Sequence, residues 1–165
     1  MAYTDIDDPS AHFQTVLYTG NGSNGTAITN SGNSNLQPDW LWIKSRSSGS
    51  LAHRLYDSSR GVANDLRSHG DNGDTQESNA LASFNSDGFT LDNDADVNGN
   101  SANFASWNWK ANGAGSADSS GSASNVTVSA NTTAGFSIVT ATMQNVKTIP
   151  HGLGAIPDVI IGRGR

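Results

Sequence analysis

Residues 91–100 read LDNDADVNGN, with a carboxylate or amide side chain at nearly every second position. This spacing matches the first half of an acidic calcium loop, in which oxygen ligands alternate before the glycine of a sharp turn, here Gly99. The Glu that closes such a loop is missing, because Ala105 stands at its position. The candidate calcium ligands are Asp92, Asp94, Asp96 and Asn98. The alternative interpretation, which we favour, is a solvated hairpin connection between two strands; no other cofactor is expected.

The tryptophans are the second set of residues whose types and spacing suggest chemistry: Trp40, Trp42, Trp107 and Trp109. The members of each pair are two residues apart, so on a β-strand both side chains lie on one face. Flat indole rings beside amides and carboxylates suit a glycan-binding site, because sugar C–H groups stack on rings while polar groups bind the hydroxyls. The competing interpretation, which we favour, is that these large apolar side chains fill the core.

Catalysis has little support in the sequence. His53 and Asp57 are four residues apart, which on a strand separates them by about 13 Å, beyond hydrogen-bond reach. Glu77 is the only Glu in the chain, so a pair of carboxylates on converging strands is not indicated. We read Asp57–Gly61 as a turn held by an ion pair between its Asp and Arg60, with the glycine in the strained position. The chain is predicted not to be an enzyme.

Composition limits the class of protein and its partners. The chain has 165 residues, of which 35% are hydrophobic and 18 are glycine, with a net charge of −6 and no cysteine. Nucleic acid is not expected as a partner, because binding phosphates requires clustered basic residues. No apolar run approaches the length of a membrane span, so membrane insertion is not expected. The absence of cysteine excludes disulfides and thiolate metal sites.

The elements that must position these residues are predicted to be short β-strands, because turn-forming residues separate many short runs rich in β-formers. Asn85–Gly88 is predicted to be a hairpin turn, and residues 61–68 are the only predicted helical segment. The predicted strands are 12–19, 39–45, 52–57, 80–85, 88–92, 103–110, 125–130, 135–142 and 157–162. The sequence therefore predicts an all-β fold.

An internal repeat organises the chain. Residues 9–20 match 132–143, and residues 36–46 (LQPDWLWIKSR) match 155–165 (AIPDVIIGRGR), so the C-terminal part reads as the first strands of a second copy. The predicted divisions are a lead-in (1–11), a β-sandwich domain (12–110), a Gly/Ser-rich linker (111–125) and an incomplete second copy (126–165). The second copy could fold back on the body, pair with a neighbouring subunit, or belong to a tandem array; we favour the last two. The candidate assembly residues are Phe136, Ile138, Val159, Ile160 and Ile161.

An ordered set of motifs spans the chain: HFQTVLYTGNGS, LQPDWLWIKSRS, LYDSSRG, LASFNSDGFTLDNDADVNGN and FASWNWKANG. Together they resemble a repeated domain of bacteriophage structural proteins that is frequent in marine phages. The resemblance covers essentially the whole chain. It implies a concanavalin-like jelly-roll β-sandwich in tail fibres or other virion appendages, often in tandem, and it implies no particular chemistry. Members of that family usually continue through the second copy, whereas this chain breaks off at Arg165.

The expected function is that of a non-enzymatic virion structural protein, a tail-fibre or capsid-attached component that self-associates through β-strands. Its expected partners are further copies of itself or other virion proteins, and its expected location is the virion, after synthesis in the host cytoplasm. The alternative is a carbohydrate-binding module that recognises a host surface glycan through exposed tryptophans and the acidic stretch.

Overall fold

The computed structural model describes residues 6–69, 75–145 and 147–164. Residues 1–5 of the predicted lead-in and Arg165 lie outside this description. The described residues form β1 (Phe13–Thr19), β2 (Thr26–Ile28), β3 (Trp40–Ser45), β4 (Arg54–Asp57), β5 (Asn64–Arg67), β6 (Thr75–Gln76), β7 (Leu81–Phe84), β8 (Phe89–Leu91), α1 (Ala95–Asn98), β9 (Asn103–Trp109), β10 (Ser116–Ala117), β11 (Ser124–Asn131) and β12 (Phe136–Thr142), with a 3-10 helix at Pro9–Ala11 before β1. The described helices are all too short to cross a lipid bilayer.

Two antiparallel sheets enclose the core. One has six strands in the order β1-β9-β3-β4-β5-β6, and the other has three in the order β2-β8-β7. Side chains from both sheets and from α1 meet between them because alternate residues of each strand point inward. The buried cluster is Ile28, Leu41, Ile43, Tyr56, Ala80, Leu81, Phe89, Leu91, Val97 and Phe104. The prediction of an all-β sandwich is confirmed, while its jelly-roll connectivity stays a prediction.

The predicted turns are confirmed at two glycines that adopt positive φ. Gly88, at φ 93°, closes the hairpin of β7 and β8, and its carbonyl accepts a hydrogen bond of 2.9 Å from the Asn85 N–H. Gly61, at φ 88°, ends the turn after β4, where Arg60 Nε lies 2.6 Å from Asp57 Oδ2. Glycine suits both positions because other residues seldom adopt these angles.

The helix predicted at residues 61–68 is wrong. This segment contains β5, and Leu66 pairs with Leu55 of β4. Backbone pairing along β4 satisfies the amides that a helix would satisfy internally, so tertiary context overrides local propensity. The described α-helix lies instead at Ala95–Asn98, within the stretch predicted to be a solvated turn.

The hairpin connection predicted at residues 91–100 is also wrong. β8 pairs with β2 and β7 in the three-stranded sheet, whereas β9 pairs with β1 and β3 in the six-stranded sheet. The stretch therefore carries the chain from one sheet to the other. It contributes to the core, because Val97 is fully buried within the cluster between the sheets.

A third sheet, in the order β10-β11-β12, follows the body of the protein. The segment predicted as a linker contains β10, and Asn112 N–H donates to Ser129 Oγ at 2.8 Å. Ser58 Oγ and Ser129 Oγ both donate to the Gly113 carbonyl, at 2.6 and 2.7 Å. These hydrogen bonds fasten the third sheet to the body, and the division into domains stays a prediction.

Candidate functional site

The acidic stretch holds α1 and its neighbours in place. Asp94 caps α1, and its Oδ1 accepts a hydrogen bond of 2.7 Å from the Asp96 N–H. Asp92 Oδ1 accepts a 3.0 Å hydrogen bond from the Gly25 N–H in the loop before β2. A carboxylate that accepts a backbone N–H at a helix start satisfies a donor that would otherwise lack a partner.

Asn98, the fourth candidate calcium ligand, is fully buried and joins the acidic stretch to the loop between β1 and β2. Its Nδ2 donates to the Asp92 carbonyl at 2.8 Å and to the Ser23 carbonyl at 3.0 Å, and its Oδ1 accepts from the Asn21 N–H at 3.0 Å. Its amide group thus serves backbone groups in the structure. The alternation of polar residues indicated oxygen ligands but could not reveal this role.

Arg54 is a buried cation that the sequence analysis did not identify. It points from β4 toward the core side of the sheet and makes ion pairs with Asp65 and Asp96, with Asp94 Oδ2 at 3.7 Å from its Nη2. Burial by itself would lower the pKa of Arg54, but the hydrogen bond to Asp96 and the charge of Asp65 raise it above its usual value. Asp96 and Asp94 therefore face a guanidinium group. Within the described ranges, no cluster of three His, Asp or Glu side chains is placed to hold a metal ion.

Polar atoms without hydrogen-bond partners accompany this ion-pair group. They are Tyr56 Oη, Arg54 Nε and Asp65 Oδ1, all of them buried. Burial raises the pKa of Tyr56, and the neighbouring charge of Asp65 raises it further. Burial likewise raises the pKa of Asp65, against the opposing effect of Arg54. The sequence did contain a signal for this burial. Arg54 stands two residues before Tyr56 on β4, so both side chains lie on the same face of the strand, and that face points into the core.

The four tryptophans lie together on the outer face of the six-stranded sheet. Strand register places Trp107 of β9 between Trp42 of β3 and Thr15 of β1, and places Trp109 between Trp40 and Phe13. The rings of Trp40 and Trp109 are stacked 4.9 Å apart, and those of Trp42 and Trp107 meet edge to face at 6.1 Å. The pairing of tryptophans on one face, predicted from their spacing, therefore extends across two neighbouring strands.

Core packing, the favoured role for these tryptophans, is wrong, because none of the four belongs to the buried cluster between the sheets. All four are half-buried on the opposite face of β3 and β9. Trp42 Nε1 donates to His53 Nδ1 at 2.8 Å. Burial and the positive charge of Lys44 lower the pKa of His53, which suits a ring nitrogen acting as an acceptor.

Phe136 of β12 covers one end of this aromatic face. Its ring is stacked on Trp40 at 5.7 Å with an interplanar angle of 9°, and lies 6.1 Å from Trp109. Phe13, the residue of β1 that matches Phe136 in the repeat, contacts Trp109 at 4.8 Å. The first strand of the second copy therefore folds back on the body, the outcome that the sequence analysis disfavoured. Phe136 and Ile138 are half-buried there.

The chain beyond β12 has an anchored part and an exposed part. Residues 148–152 lie against the third sheet: Thr148 N–H donates to Ser122 Oγ at 2.9 Å, and Ser137 Oγ donates to the His151 carbonyl at 2.6 Å. From residue 155 onward the chain is in neither helix nor strand, and we call residues 155–164 the arm. Four apolar side chains of the arm are exposed, by 93%, 77%, 81% and 70% of their surface: Ile156, Val159, Ile160 and Ile161.

A family model described as a domain of unknown function, DUF7483, matches residues 8–165 of the chain, which therefore belongs to that family. Neither the curated proteins nor the solved structures contain a match to this chain.

Proposed function

We propose that this member of a family without an assigned function is a non-enzymatic structural protein that self-associates through its arm. The six-stranded sheet, the three-stranded sheet and the docked third sheet form the rigid body in this proposal. The arm supplies the contact between copies. Catalysis has no part in the proposal, because the buried aspartates of the described structure are engaged in ion pairs, Asp65 with Arg54, Asp57 with Arg60 and Asp39 with Lys110.

The observation that carries the proposal is the contrast between the arm and the rest of the apolar residues. Single exposed apolar side chains are ordinary on protein surfaces, but a contiguous exposed group marks an interaction site. Val159, Ile160 and Ile161 are consecutive and each is at least 70% exposed. Burying such side chains on association removes apolar surface from water and contributes roughly 25 cal/mol for each Å².

The setting that we propose is a virion, in a tail fibre or another appendage built from many copies. Support for this setting comes from the resemblance of the ordered motifs to phage structural domains. A low share of charged residues, 15%, and a surface rich in Ser, Asn and Gly are compatible with a particle component. The partner classes in this proposal are further copies of the chain and other virion proteins.

The second candidate function is glycan binding at the aromatic face, favoured by the position of Trp107. Its ring lies on the outer face beside Trp42 and Thr15, on the row that does not include the Phe136 contacts. Lys44 and His53 border the same surface and could bind hydroxyl groups. This candidate requires no self-association, so the two functions separate cleanly by experiment.

Sedimentation of the full chain and of the double variant Ile160→Lys, Ile161→Lys tests the proposal. We expect the full chain to form concentration-dependent oligomers and the variant to remain monomeric with an unchanged unfolding midpoint, because both side chains are exposed in the monomer. A matched control places lysine at Thr132 and Thr133, exposed turn residues before β12. A monomeric full chain would refute the proposal, and glycan-array binding lost in Trp107→Ala would then favour the second candidate.

A further inference from the structure

The edge of β1 that faces away from β9 is open. Lys110 N–H donates to the His12 carbonyl and Gly20 N–H donates to the Ala102 carbonyl, both at 2.8 Å. Hydrogen-bonded and non-hydrogen-bonded pairs alternate in an antiparallel ladder, so the even-numbered residues of this segment bond to β9. The odd-numbered residues, 13 to 19, direct their N–H and C=O groups away from β9. In the part of the chain that the structure describes, no strand pairs with β1 along that side.

Exposed apolar side chains accompany these open backbone groups. Leu17 is 62% exposed and Phe13 is 40% exposed, and both lie on the outer face that carries the tryptophans. A long strand edge with unpaired backbone groups and apolar side chains is a template for the addition of another strand. β1 has seven residues and stands at the end of its sheet, so its side away from β9 carries no paired strand in the described part of the chain.

The arm has the sequence pattern of a strand, but no strand of the described structure is paired with it. Residues 155–164 match residues 36–45, which in the body include β3, a central strand between β9 and β4. The residue of β3 that matches Ile160 is Leu41, which is fully buried. The same pattern of Pro-Asp followed by three apolar residues thus forms a strand where partner strands are present.

We propose that the arm of one copy adds as an antiparallel strand to the open edge of β1 in a second copy. This inference rests on the proposed function and names the surface that receives the arm. The arm residues 159–164 can pair with most of the seven residues of β1. Adding one arm to one β1 edge forms backbone hydrogen bonds between the two copies. It also covers Leu17 and Phe13, both of which are exposed in the single chain.

Charge selects the antiparallel direction. Asp7 and Asp8 precede β1, and Asp158 precedes the apolar triplet of the arm. A parallel alignment would bring Asp158 toward these carboxylates, whereas the antiparallel alignment moves it to the far end of β1; like charges close together on paired strands are unfavourable. An antiparallel alignment instead brings the basic sequence after Ile161, GRGR, toward the acidic lead-in of β1. Attraction between opposite charges at that end favours the antiparallel alignment. This attraction weakens as the salt concentration increases.

Because side chains alternate along a strand, the proposed strand addition predicts which arm residues lie beside Leu17. Val159 and Ile161 lie on one face of the added strand and Ile160 lies on the other. One of these two sets extends the outer aromatic face next to Leu17, and the other faces the side of Val16 and Tyr18. Cross-strand neighbours on one face have Cβ atoms about 5 Å apart, within reach of a disulfide after small adjustment.

Disulfide mapping tests the inference, because the chain has no cysteine of its own. One preparation carries Leu17→Cys, and three others carry Val159→Cys, Ile160→Cys or Ile161→Cys, all at exposed positions. Pairs are mixed, oxidised and analysed by mass spectrometry for disulfides between the two kinds of chain. We expect the strongest cross-link to come from one face alone, either Ile160 or one of the pair Val159 and Ile161, and to exceed cross-linking from the other face by about fivefold, because only one face meets Leu17.

The matched control is Thr140→Cys, since residue 140 of β12 matches Leu17 in the repeat. We expect at least about fivefold less cross-linking of the arm to this position than to Leu17, because it lies outside the proposed site. Equal or greater cross-linking to Thr140 would overturn the choice of β1. Oligomers without any Leu17 cross-link would also overturn it, leaving self-association intact, whereas a monomeric full chain would refute both. Leu17→Lys, with unchanged thermal stability, should abolish assembly.

Discussion

Residues 36–46 and the arm show how one sequence pattern can have two structural outcomes. Both contain Pro-Asp and three apolar residues, but Leu41 has no exposed surface whereas its match Ile160 is 81% exposed. β3 pairs with β4 along one edge and with β9 along the other. The arm is paired with no strand in the described structure. The difference lies in the neighbours, not in the residues.

The comparison teaches that strand formation here depends on tertiary partners. An isolated strand leaves its backbone groups in water and buries no apolar face. The free energy gained by forming it therefore does not offset the conformational entropy that the chain loses. β12 provides an intermediate case, because it matches β1 and does form a strand, paired with β11 and docked through Phe136. Each repeated segment is therefore ordered to the extent that a partner covers it.

The largest expected difference between the two regions concerns Leu41 and Ile160. Leu41→Ala should lower the free energy of unfolding by about 3 kcal/mol, because it leaves a cavity between the two sheets. Ile160→Ala should change it by less than about 0.5 kcal/mol in the monomer, because the side chain is exposed. Urea denaturation at low protein concentration measures both. Similar losses in the two variants would show that the arm packs in the single chain.

A smaller difference is expected for the aspartates of the two Pro-Asp pairs. Asp39 is fully buried, and its Oδ2 accepts a 2.8 Å hydrogen bond from the Ala111 N–H. Asp39→Ala leaves that N–H without its acceptor and should cost about 2 kcal/mol. Asp158→Ala should be close to neutral, since Asp158 is exposed. Both are measured by urea denaturation, with Asp39→Asn as the control that retains an acceptor; a neutral Asp39→Ala would contradict the prediction.

The smallest effect is expected for the matched phenylalanines. Phe136→Ala removes the stacking of β12 on Trp40 and Trp109 and should weaken docking of the third sheet by about 1 kcal/mol. Amide hydrogen exchange in β11 and β12 should then accelerate about fivefold relative to the native chain. Phe13→Ala, which removes only the contact from β1 to Trp109, should leave exchange in those strands unchanged. Equal acceleration in both variants would mean that Phe136 is not the docking residue.

Much of the fold could be predicted from local chemistry. The hairpin at Asn85–Gly88 and the turn at Gly61 follow from residues that tolerate positive φ, and the short β-rich runs predicted most of the strands. The error at residues 61–68 arose because two apolar residues four positions apart, Val62 and Leu66, fit a helix as well as a strand. Only β4, which pairs with β5, decides between them.

The candidate surfaces were less predictable than the fold. Spacing put Trp40 with Trp42 and Trp107 with Trp109, but it could not tell which face of the sheet would meet the core. That choice depends on Leu41, Ile43 and Phe104, which contact the opposite sheet. Likewise, the acidic residues were named as candidate calcium ligands, with a solvated turn favoured, whereas Asp94 and Asp96 face a guanidinium group. Arg54 supplies that charge from a distant part of the sequence.

The position of the tryptophans on one outer face has a consequence for spectroscopy. All four indole rings lie outside the core between the sheets, so intrinsic fluorescence reports the outer face of β3 and β9. Phe136 contacts two of these rings, so emission responds to release of the third sheet even where the body stays folded. Far-ultraviolet circular dichroism, in contrast, follows the melting of all strands. During heating, the gap between the midpoints of the two signals therefore measures how independently the third sheet detaches.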